Sequence, residues 1–496
     1  MLADLGVLFR RALALLLLAD VAYCQTAQPY DPSGFNFVGT IDAMTLNVSD
    51  GVLAGGSITV NNIVVTVPKN LIVTLPSINV AWSELFTVDG NNKATPNLPL
   101  LGTVSWEATI FGNIVSGQRI AGIVYIIQES TQFLQGFVTK IDYTTGHFWV
   151  DTLECLLNDP VGRFGIAYTD NPLWTVDPDS PSIRASTGVP LCIPRNATDS
   201  ECPLTNRPTD GNGFYLTAFT FPAPDLVEPG GPDPRIMVPI VVGDYITFSG
   251  TKIAGDILAV YSLEANLGIY TAPGTQPAYV TCEAANYAIV VADPTLEADE
   301  TRATAMVSDP TTPIQWYAID VDPCTGEETQ RDLLLAQGSG TAPIGRTVFR
   351  LGKVDANPAT RQVGFRYTNG VSPGPRGLVA GQFEQPIFVY TFPELIDFGA
   401  NEPANQFQLM PYIAQGSGPF EYGNFLEPPL PTPTIVGQLD PWPGAIVPGT
   451  TSCAPPSSTT ATTSSASSTP TGPAGITDVI NILSATTRNQ KGRSTF

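Results

Sequence analysis

Proline and glycine interrupt this chain throughout, and they limit what it can form. Its 496 residues include 46 prolines and 45 glycines. Proline interrupts helices and central strands, and glycine favours turns. Between these residues lie short runs of β-branched and aromatic residues, and no long amphipathic helical pattern occurs. The pattern predicts many short strands joined by turns.

The clearest strand signal is a pair of β-rich runs at 58–60 and 63–67, separated by Asn61 and Asn62. Asparagine tolerates positive φ, which a two-residue hairpin turn needs. Similar runs occur at 123–128, 133–141, 147–153, 236–248, 257–262, 287–291 and 348–351. One short helix is predicted at 77–86. We therefore expect a mostly β, multidomain protein built from small β-barrel or sandwich modules.

Two segments share a layout that suggests an internal repeat. Gly39 leads one strand-turn-strand pattern that ends at residue 60, and Gly136 leads another that ends at residue 150. Glycine within a strand permits the sharp bending of a small barrel. Chance similarity of turn residues is the alternative interpretation.

Composition predicts the domain boundaries. An N-terminal β-domain is expected at 25–155, a loop-rich β segment and linker at 156–235, and one or more C-terminal β-domains at 236–450. Of the 21 residues at 451–471, 14 are Ser or Thr. We expect residues 451–475 to form a disordered, O-glycosylated stalk. The tail at 476–496 contains one strand-like run, which indicates a truncated further domain or a frayed end.

The N-terminus has the composition of a secretory signal peptide. Arg10 and Arg11 precede an apolar run of eight residues at 12–19, and small residues come before Gln25. A membrane span needs about 20 apolar residues, so an anchor is the weaker interpretation. Cleavage after Cys24 predicts an extracellular protein with no transmembrane segment.

Removal of residues 1–24 leaves six of the seven cysteines, an even number that predicts three disulfides in an oxidising compartment. The expected pairs, in order of preference, are Cys192 with Cys202, Cys282 with Cys324, and Cys155 with Cys453. Spacing alone leaves other pairings open. A metal or redox site is less favoured because no C-x-x-C motif occurs.

Two N-glycosylation sequons fit the same extracellular location. They begin at Asn47 and Asn196. The second lies between Cys192 and Cys202, in a loop that should be exposed.

Charge and histidine content exclude several functions. The chain has 45 acidic and 23 basic residues, a net charge of −22, so it lacks the excess of cations that nucleic acid requires. Its one histidine, His147, excludes metal sites built from several imidazoles. No phosphate-binding loop or dinucleotide fingerprint occurs, so no cofactor is expected.

The catalytic motifs in the chain are incomplete. A Gly-x-Ser-x-Gly sequence at 370–374 places Pro373 after the serine, and proline has no N–H for an oxyanion hole. The acidic segment at 320–328 misses the calcium-loop spacing. A pair of carboxylates suffices to cleave a glycosidic bond, but 45 acids offer no basis for choosing two. We therefore assign no catalytic, cofactor-binding or metal-binding residue.

Sugar-stacking tryptophans are a weaker possibility, because core packing is the default for each. The six are Trp82, Trp106, Trp149, Trp174, Trp316 and Trp442. Trp442, in a Pro-rich turn, is expected to be the most exposed.

Five segments resemble an uncharacterised family of secreted fungal β-rich proteins. They are FNFVG at 35–39, IVVTVPKNLIVTLP at 63–76, AWSELF at 81–86, NDPVGRF at 158–164 and VGDYITFSG at 242–250. The resemblance extends over most of residues 35–450. That family has no assigned activity, so the resemblance implies no site residues.

Together these features predict a secreted or cell-wall-associated protein with a structural or binding role. The expected partner is a wall polysaccharide or a cell-surface protein. The alternative is a carbohydrate-active enzyme that uses an Asp/Glu pair.

Overall fold

The computed structural model describes residues 33–391, except 52, 70, 77–78, 99–104, 116, 130, 169–180, 197, 289–300, 322–326, 352–359, 361 and 388; it also describes 405, 407, 421–422 and 434–435. The expected signal peptide at 1–24, stalk at 451–475 and tail at 476–496 lie outside these residues. The protein is mostly β, as predicted. No helix in the described part of the chain has the length and apolarity to cross a membrane.

The first module, barrel one, is a closed β-barrel. Its strands are β1 (Ser33–Leu46), β2 (Gly56–Val60), β3 (Ile63–Val67), β4 (Ile72–Thr74), β5 (Asn79–Ala81), β6 (Phe86–Val88), β7 (Ala94–Pro96), β8 (Trp106–Val115) and β9 (Gln118–Gln128). Five of them pair in the order β3-β2-β1-β8-β9, and β3 also pairs with β9, which closes the ring. β4 adds to β9 in parallel, and β5 adds to β4.

The predicted hairpin between β2 and β3 is confirmed. Asn61 and Asn62 have φ values of 49° and 63°, the left-handed conformation that the sequence suggested. Val60 and Ile63 pair on either side of this turn.

The predicted helix at 77–86 is wrong. Its described residues form β5, a 3-10 turn at Trp82–Leu85 and the start of β6. The Trp82 side chain is buried, and its indole N–H donates to the Thr45 carbonyl at 3.0 Å. Burial of this ring against the barrel outweighs the local helical preference.

The second module, barrel two, is also closed. Its strands are β10 (Thr131–Asp142), β11 (His147–Val150), β12 (Leu153–Leu157), β13 (Ile183–Ala185), β14 (Leu191–Cys192), β15 (Ala218–Thr220), β16 (Val238–Pro239), β17 (Tyr245–Lys252), β18 (Leu258–Ala265) and β19 (Gly268–Tyr270). The order is β12-β11-β10-β17-β18, and β12 pairs with β18 in parallel. β13 adds to β18 in parallel.

The two barrels therefore have one topology, in which the third and fifth strands of each ring pair in parallel. This is the arrangement of the small five-stranded Greek-key barrels known as OB-folds. The two glycine-led segments that suggested a repeat form the first two strands of each ring. Gly39 lies in β1 and Gly136 in β10, and each of these strands has a register shift just after its glycine.

The grouping of strands differs from the predicted domain boundaries. Barrel two takes β10 to β12 from one side of the segment at 158–244 and β17 and β18 from the other side. That segment is thus an insertion within barrel two. Composition identified it as rich in loops, but only the pairing of β12 with β18 shows that both flanks belong to one sheet.

The third module is a β-sandwich. Its strands are β20 (Val280–Ala288), β21 (Thr301–Val307), β22 (Ile314–Val321), β23 (Glu328–Ala336), β24 (Arg346–Leu351), β25 (Gln362–Tyr367), β26 (Ser372–Pro373), β27 (Val379–Ala380), β28 (Gln382–Pro386) and β29 (Val389–Thr391). One sheet has the order β24-β21-β20-β29 and the other β23-β22-β25-β28. Trp316, Phe349 and Phe365 pack together in the core.

A few short elements complete the described structure. Two further strands, β30 (Glu421–Tyr422) and β31 (Thr434–Ile435), pair with each other. Besides the turn at Trp82–Leu85, single 3-10 turns occur at Val48–Asp50, Leu204–Asn206, Pro224–Leu226, Ala254–Asp256 and Pro375–Gly377.

The modules pack against one another. β9 is buried on both faces: Val124 and Ile126 belong to the core of barrel one, and Ile120 and Ile123 to the core of the sandwich. This double burial explains the nearly continuous apolar run of β9. Barrel two and the sandwich share contacts as well, since Leu378 packs in the barrel-two core.

Candidate functional site

A cavity of about 430 Å³ lies where the three modules meet. Barrel one lines it with residues of β4, β5 and β9, and barrel two with residues of β10, β13, β17 and β18. β28 of the sandwich supplies the remaining wall. In each barrel, the fifth strand and the strand added to it, β9 with β4 and β18 with β13, contribute to the wall. This cavity, called the junction cavity below, thus lies between equivalent strands of the two barrels.

Arg184 is the one basic residue among the described cavity-lining residues. Its Nη2 donates to Glu264 Oε2 at 3.3 Å, and its guanidinium lies over the Phe383 ring, with Cζ 5.4 Å from the ring centroid. Burial lowers the pKa of Arg184, but an arginine stays charged at neutral pH. Its Nε is buried and has no hydrogen-bond partner among the described residues.

Asn79 lines the same cavity from β5 of barrel one, where it pairs with Thr74 of β4. Its Oδ1 atom is buried and also lacks a partner among the described residues. Buried polar atoms are nearly always hydrogen-bonded to protein, water or ligand. Asn79 Oδ1 and Arg184 Nε both have almost no accessible surface, so they lie within the cavity wall and not on its surface.

Aromatic side chains form much of the remaining surface. Phe133 of β10 is 74% exposed, Tyr125 is half-buried and Phe383 is buried. Burial raises the pKa of Tyr125 to about 12, so its hydroxyl remains protonated at neutral pH. The cavity wall combines aromatic side chains with neutral polar groups such as Ser249 and Ser262.

Glu384 is the only acid among the described residues that line the cavity. Its Oε1 accepts a hydrogen bond from the Tyr317 hydroxyl at 2.7 Å. Nearby Glu264 uses both carboxylate oxygens, because Ser186 donates to Oε1 at 3.1 Å and Arg184 to Oε2. Both acids are thus held by neighbouring side chains.

The cysteines differ in outcome. Cys192 and Cys202, the first expected pair, are joined by a disulfide. Cys155 and Cys282 are buried free thiols in the structure. Their expected partners, Cys453 and Cys324, lie outside the described residues, so those two pairings stay predictions.

Both sequon asparagines, Asn47 and Asn196, are exposed. The Ser49 hydroxyl donates to Asn47 Oδ1 at 2.9 Å, and the Thr198 hydroxyl donates to Asn196 Oδ1 at the same distance. Each sequon therefore forms a local turn on the surface.

The incomplete motifs remain separate from one another. His147 Nδ1 lies 2.7 Å from Glu154 Oε1, on barrel two. Ser372, of the Gly-x-Ser-x-Gly sequence, donates to Gln276 Oε1 at 3.2 Å instead of to a histidine. No cluster of three or more potential metal ligands occurs among the described residues.

Of the tryptophans, Trp82, Trp106 and Trp316 are buried in cores, and Trp149 is half-buried beneath Lys140, whose Nζ lies 3.9 Å from its ring centroid. Trp174 and Trp442 lie outside the described residues.

The cavity residues were not identified from the sequence. Arg184, Asn79 and Phe133 come from three distant segments, and none belongs to a recognisable motif. No alternation marks Phe133 in the sequence, because residues 132–135 of β10 are all exposed.

Comparison with known protein families and with characterised proteins found no match. The resemblance to the uncharacterised fungal family therefore stays a prediction.

Proposed function

We propose that this is a secreted, cell-wall-associated binding protein whose ligand occupies the junction cavity. The observation that carries the proposal is the cavity itself: it brings together aromatic side chains, a buried cation and neutral polar side chains from separate modules. Its volume of about 430 Å³ falls within the range of small-molecule pockets, about 300–1,000 Å³.

Export is supported by three independent features. The signal-peptide pattern directs the chain to the secretory route, and the Cys192–Cys202 disulfide suits an oxidising compartment. Asn47 and Asn196 are exposed, as glycan attachment requires. Wall association is proposed from the Ser/Thr-rich segment at 451–475.

The barrel topology and the charge together favour a carbohydrate partner. OB-type barrels commonly bind oligonucleotides or oligosaccharides, although a fold alone does not fix a function. A net charge of −22 disfavours a polyanion, which leaves the oligosaccharide.

A binding role has more support than the alternative of a glycoside-cleaving enzyme. Hydrolysis normally requires two carboxyl groups on either side of the scissile bond. Glu384 is the only acid on the described cavity wall, and Tyr317 holds it.

The test is to incubate the purified full-length protein with fungal and plant wall polysaccharides and to measure retention and sugar release in the same samples. We expect retention without release. Phe133→Ala should reduce retention, whereas Phe214→Ala, which alters a similarly exposed ring in a loop of barrel two, should not. Sugar release that disappears in Glu384→Gln would establish the enzyme and refute the binding role.

A further inference from the structure

Three neighbouring strands of barrel two present an open sheet surface beside the junction cavity. Side chains two residues apart point to the same side of a strand, and the other side of these strands is buried in the barrel-two core. We call the outward surface the β10 face. Its members are Phe133, Gln135 and Phe137 of β10, Tyr245, Thr247 and Ser249 of β17, and Ser262 and Glu264 of β18.

The β10 face exposes two phenylalanine rings. Phe133 is 74% exposed and Phe137 is 56% exposed. The Phe137 ring meets the Tyr245 ring edge-on, with the ring centroids 5.1 Å apart. Exposed apolar groups that lie together on a soluble protein commonly mark an interaction site.

Barrel one shows that the shared topology does not require these rings. The glycine that precedes the register shift of β1 and the glycine that precedes the shift of β10 occupy equivalent positions. Counted from these glycines, Asn36 stands in place of Phe133, and Thr40 stands in place of Phe137. The same strand pairing thus forms with polar residues at both positions. The rings of barrel two are therefore available for binding.

The β10 face leads away from the junction cavity as a narrow strip. Phe133 belongs to both, since it also lines the cavity. Phe137 lies further along the same strand, about 13 Å away at the rise of an antiparallel strand. Between the two rings, Gln135 pairs with Thr247, and both side chains are exposed and polar. An occupant that touches both rings must therefore be elongated.

The charge on the β10 face is already balanced. Glu264 is the only charged member, and it accepts hydrogen bonds from Arg184 at 3.3 Å and from Ser186 at 3.1 Å. An ionic ligand would lack a free counter-ion on this surface, whereas a neutral ligand needs none.

Area and charge disfavour a second copy of the chain as the occupant. Phe133 and Phe137 together expose roughly 250 Å², taking about 200 Å² for a whole phenylalanine side chain. A stable protein interface buries about 800 Å² on each partner. Two molecules that each carry a net charge of −22 also repel one another.

A linear sugar polymer needs only a narrow strip. Its rings have C–H faces that pack on aromatic side chains. Its hydroxyl groups both donate and accept hydrogen bonds, as the amide of Gln135 and the hydroxyl of Thr247 also do.

We propose that the β10 face binds a neutral, linear polysaccharide chain that leaves the junction cavity at Phe133, follows β10 and packs on Phe137. Gln135 and Thr247 exchange hydrogen bonds with the sugar hydroxyls between the two rings. This inference rests on the proposed binding function and adds contacts outside the cavity. It makes affinity depend on chain length, because a ligand confined to the cavity does not reach Phe137.

The experiment measures the calorimetric affinity of the full-length protein for short and long members of each sugar series. The neutral probes are the disaccharides and hexasaccharides derived from cellulose, laminarin and chitin, and the anionic probe is hexagalacturonate. The variants are Phe137→Ala and Phe137→Tyr. The matched controls are Phe214→Ala, in a loop of barrel two, and Val38→Ala, on the outward side of β1.

In at least one neutral series, the hexasaccharide should bind about tenfold more tightly than the disaccharide. Phe137→Ala should weaken hexasaccharide binding roughly two- to tenfold, through the lost aromatic contact, and leave disaccharide binding unchanged. Phe137→Tyr keeps the ring and should keep the affinity, and both controls should behave as wild type. Because Phe137 is exposed, its replacement leaves no core cavity, and hydrogen exchange of β10 verifies that each variant is folded.

The contrary outcomes are distinguishable. Equal affinity for short and long probes, with unchanged binding in Phe137→Ala, would confine the ligand to the cavity and overturn this inference while the proposed function stands. Tighter binding of hexagalacturonate than of every neutral hexasaccharide would overturn the neutral ligand class. A sedimenting dimer that Phe137→Ala dissociates would make a second copy the occupant. Absence of binding to every probe and polysaccharide would overturn both proposals.

Discussion

Barrel one and barrel two share a strand order but differ in how their insertions are held. In each, the connection from the third to the fourth strand carries a strand that adds to the fifth, β4 in barrel one and β13 in barrel two. The barrel-one insertion at 68–105 contains short paired strands around an apolar core. The barrel-two insertion at 158–244 contains a disulfide and a buried ion pair.

Buried acidic side chains also distinguish barrel two from barrel one. Asp159, Asp199 and Asp244 are buried in the barrel-two insertion, whereas barrel one has no buried acid among its described residues. The strands of the barrel-one insertion have three residues each and those of the barrel-two insertion two or three, so ladders of backbone hydrogen bonds hold little of either. The barrel-two insertion adds covalent and ionic contacts. One topology can thus position cavity residues by two different means, and each means can be disrupted separately.

The largest expected effect comes from the buried ion pair of barrel two. Arg207 and Asp244 are both nearly inaccessible and share two hydrogen bonds of 2.6 Å. Arg207→Met leaves a buried carboxylate unpaired, which should cost about 3–5 kcal/mol of unfolding free energy. Segment-resolved hydrogen exchange in urea should show lost protection in barrel two and retained protection in barrel one.

The control for this prediction is Lys252→Met, which removes an exposed ion pair with Asp256 and should produce no measurable change. Equal loss of protection in both barrels would show that they unfold as one unit. That result would contradict the conclusion that the contacts holding each insertion can be disrupted separately.

The disulfide should have the next largest effect. Cys192 and Cys202 are separated by ten positions, and closing so short a loop is worth about 2–3 kcal/mol. It also positions Glu201, which receives hydrogen bonds from Arg195 at 3.1 Å and from Arg376 of the sandwich. Replacing both cysteines with serine should lower the melting temperature of barrel two.

Wild-type protein treated with reductant supplies a second measurement, in which any disulfide formed by Cys155 or Cys282 opens as well. Both samples should leave the exchange protection of β1 to β3 unchanged. A loss of exchange protection in barrel one as large as that in barrel two would contradict the prediction that the disulfide stabilises barrel two alone.

A smaller, pH-dependent effect is expected at Asp159. Burial raises the pKa of this carboxyl group, and its Oδ2 accepts from the Phe164 amide at 2.6 Å while Oδ1 has no partner among the described residues. For an acid with a raised folded pKa, stability falls as pH rises from the unfolded value, about 3.9, through the folded value.

Asp159→Asn keeps an acceptor for the Phe164 amide and removes the charge. Its unfolding free energy should therefore exceed that of wild type at neutral pH, and the difference should disappear below about pH 4. Urea titrations across this pH range provide the measurement. A difference independent of pH would mean that the carboxyl group is not the source.

The smallest effect concerns the turn between the second and third strands of each barrel. Asn61 and Asn62 both have positive φ, whereas in the equivalent two-residue turn of barrel two only Asp151 does. Asn62→Gly should stabilise barrel one by roughly 0.5 kcal/mol, because glycine adopts this conformation without steric cost. Thr152→Gly should give no such gain. Thermal melting of the two variants would contradict this prediction if Thr152→Gly were the more stabilising change.

Local features could be predicted from the sequence because they depend on neighbouring residues. The Asn61–Asn62 turn follows from the φ preferences of asparagine, and the Cys192–Cys202 bridge follows from a short separation. The layout shared by the Gly39 and Gly136 segments also reflected real structure, since both lead the first strands of equivalent barrels. The helix expected at 77–86 failed because burial of Trp82 is a tertiary contact.

The amino-acid sequence by itself thus determined a β-rich, turn-punctuated chain with the pattern of an exported protein, because strand and turn preferences and targeting patterns are local. Only the tertiary structure decided that β12 pairs with β18 across the long insertion and that Asn79, Phe133 and Arg184 meet in one cavity. These contacts join segments far apart in the chain. Their geometry depends on the closure of two barrels and their packing against the sandwich, which no local pattern encodes.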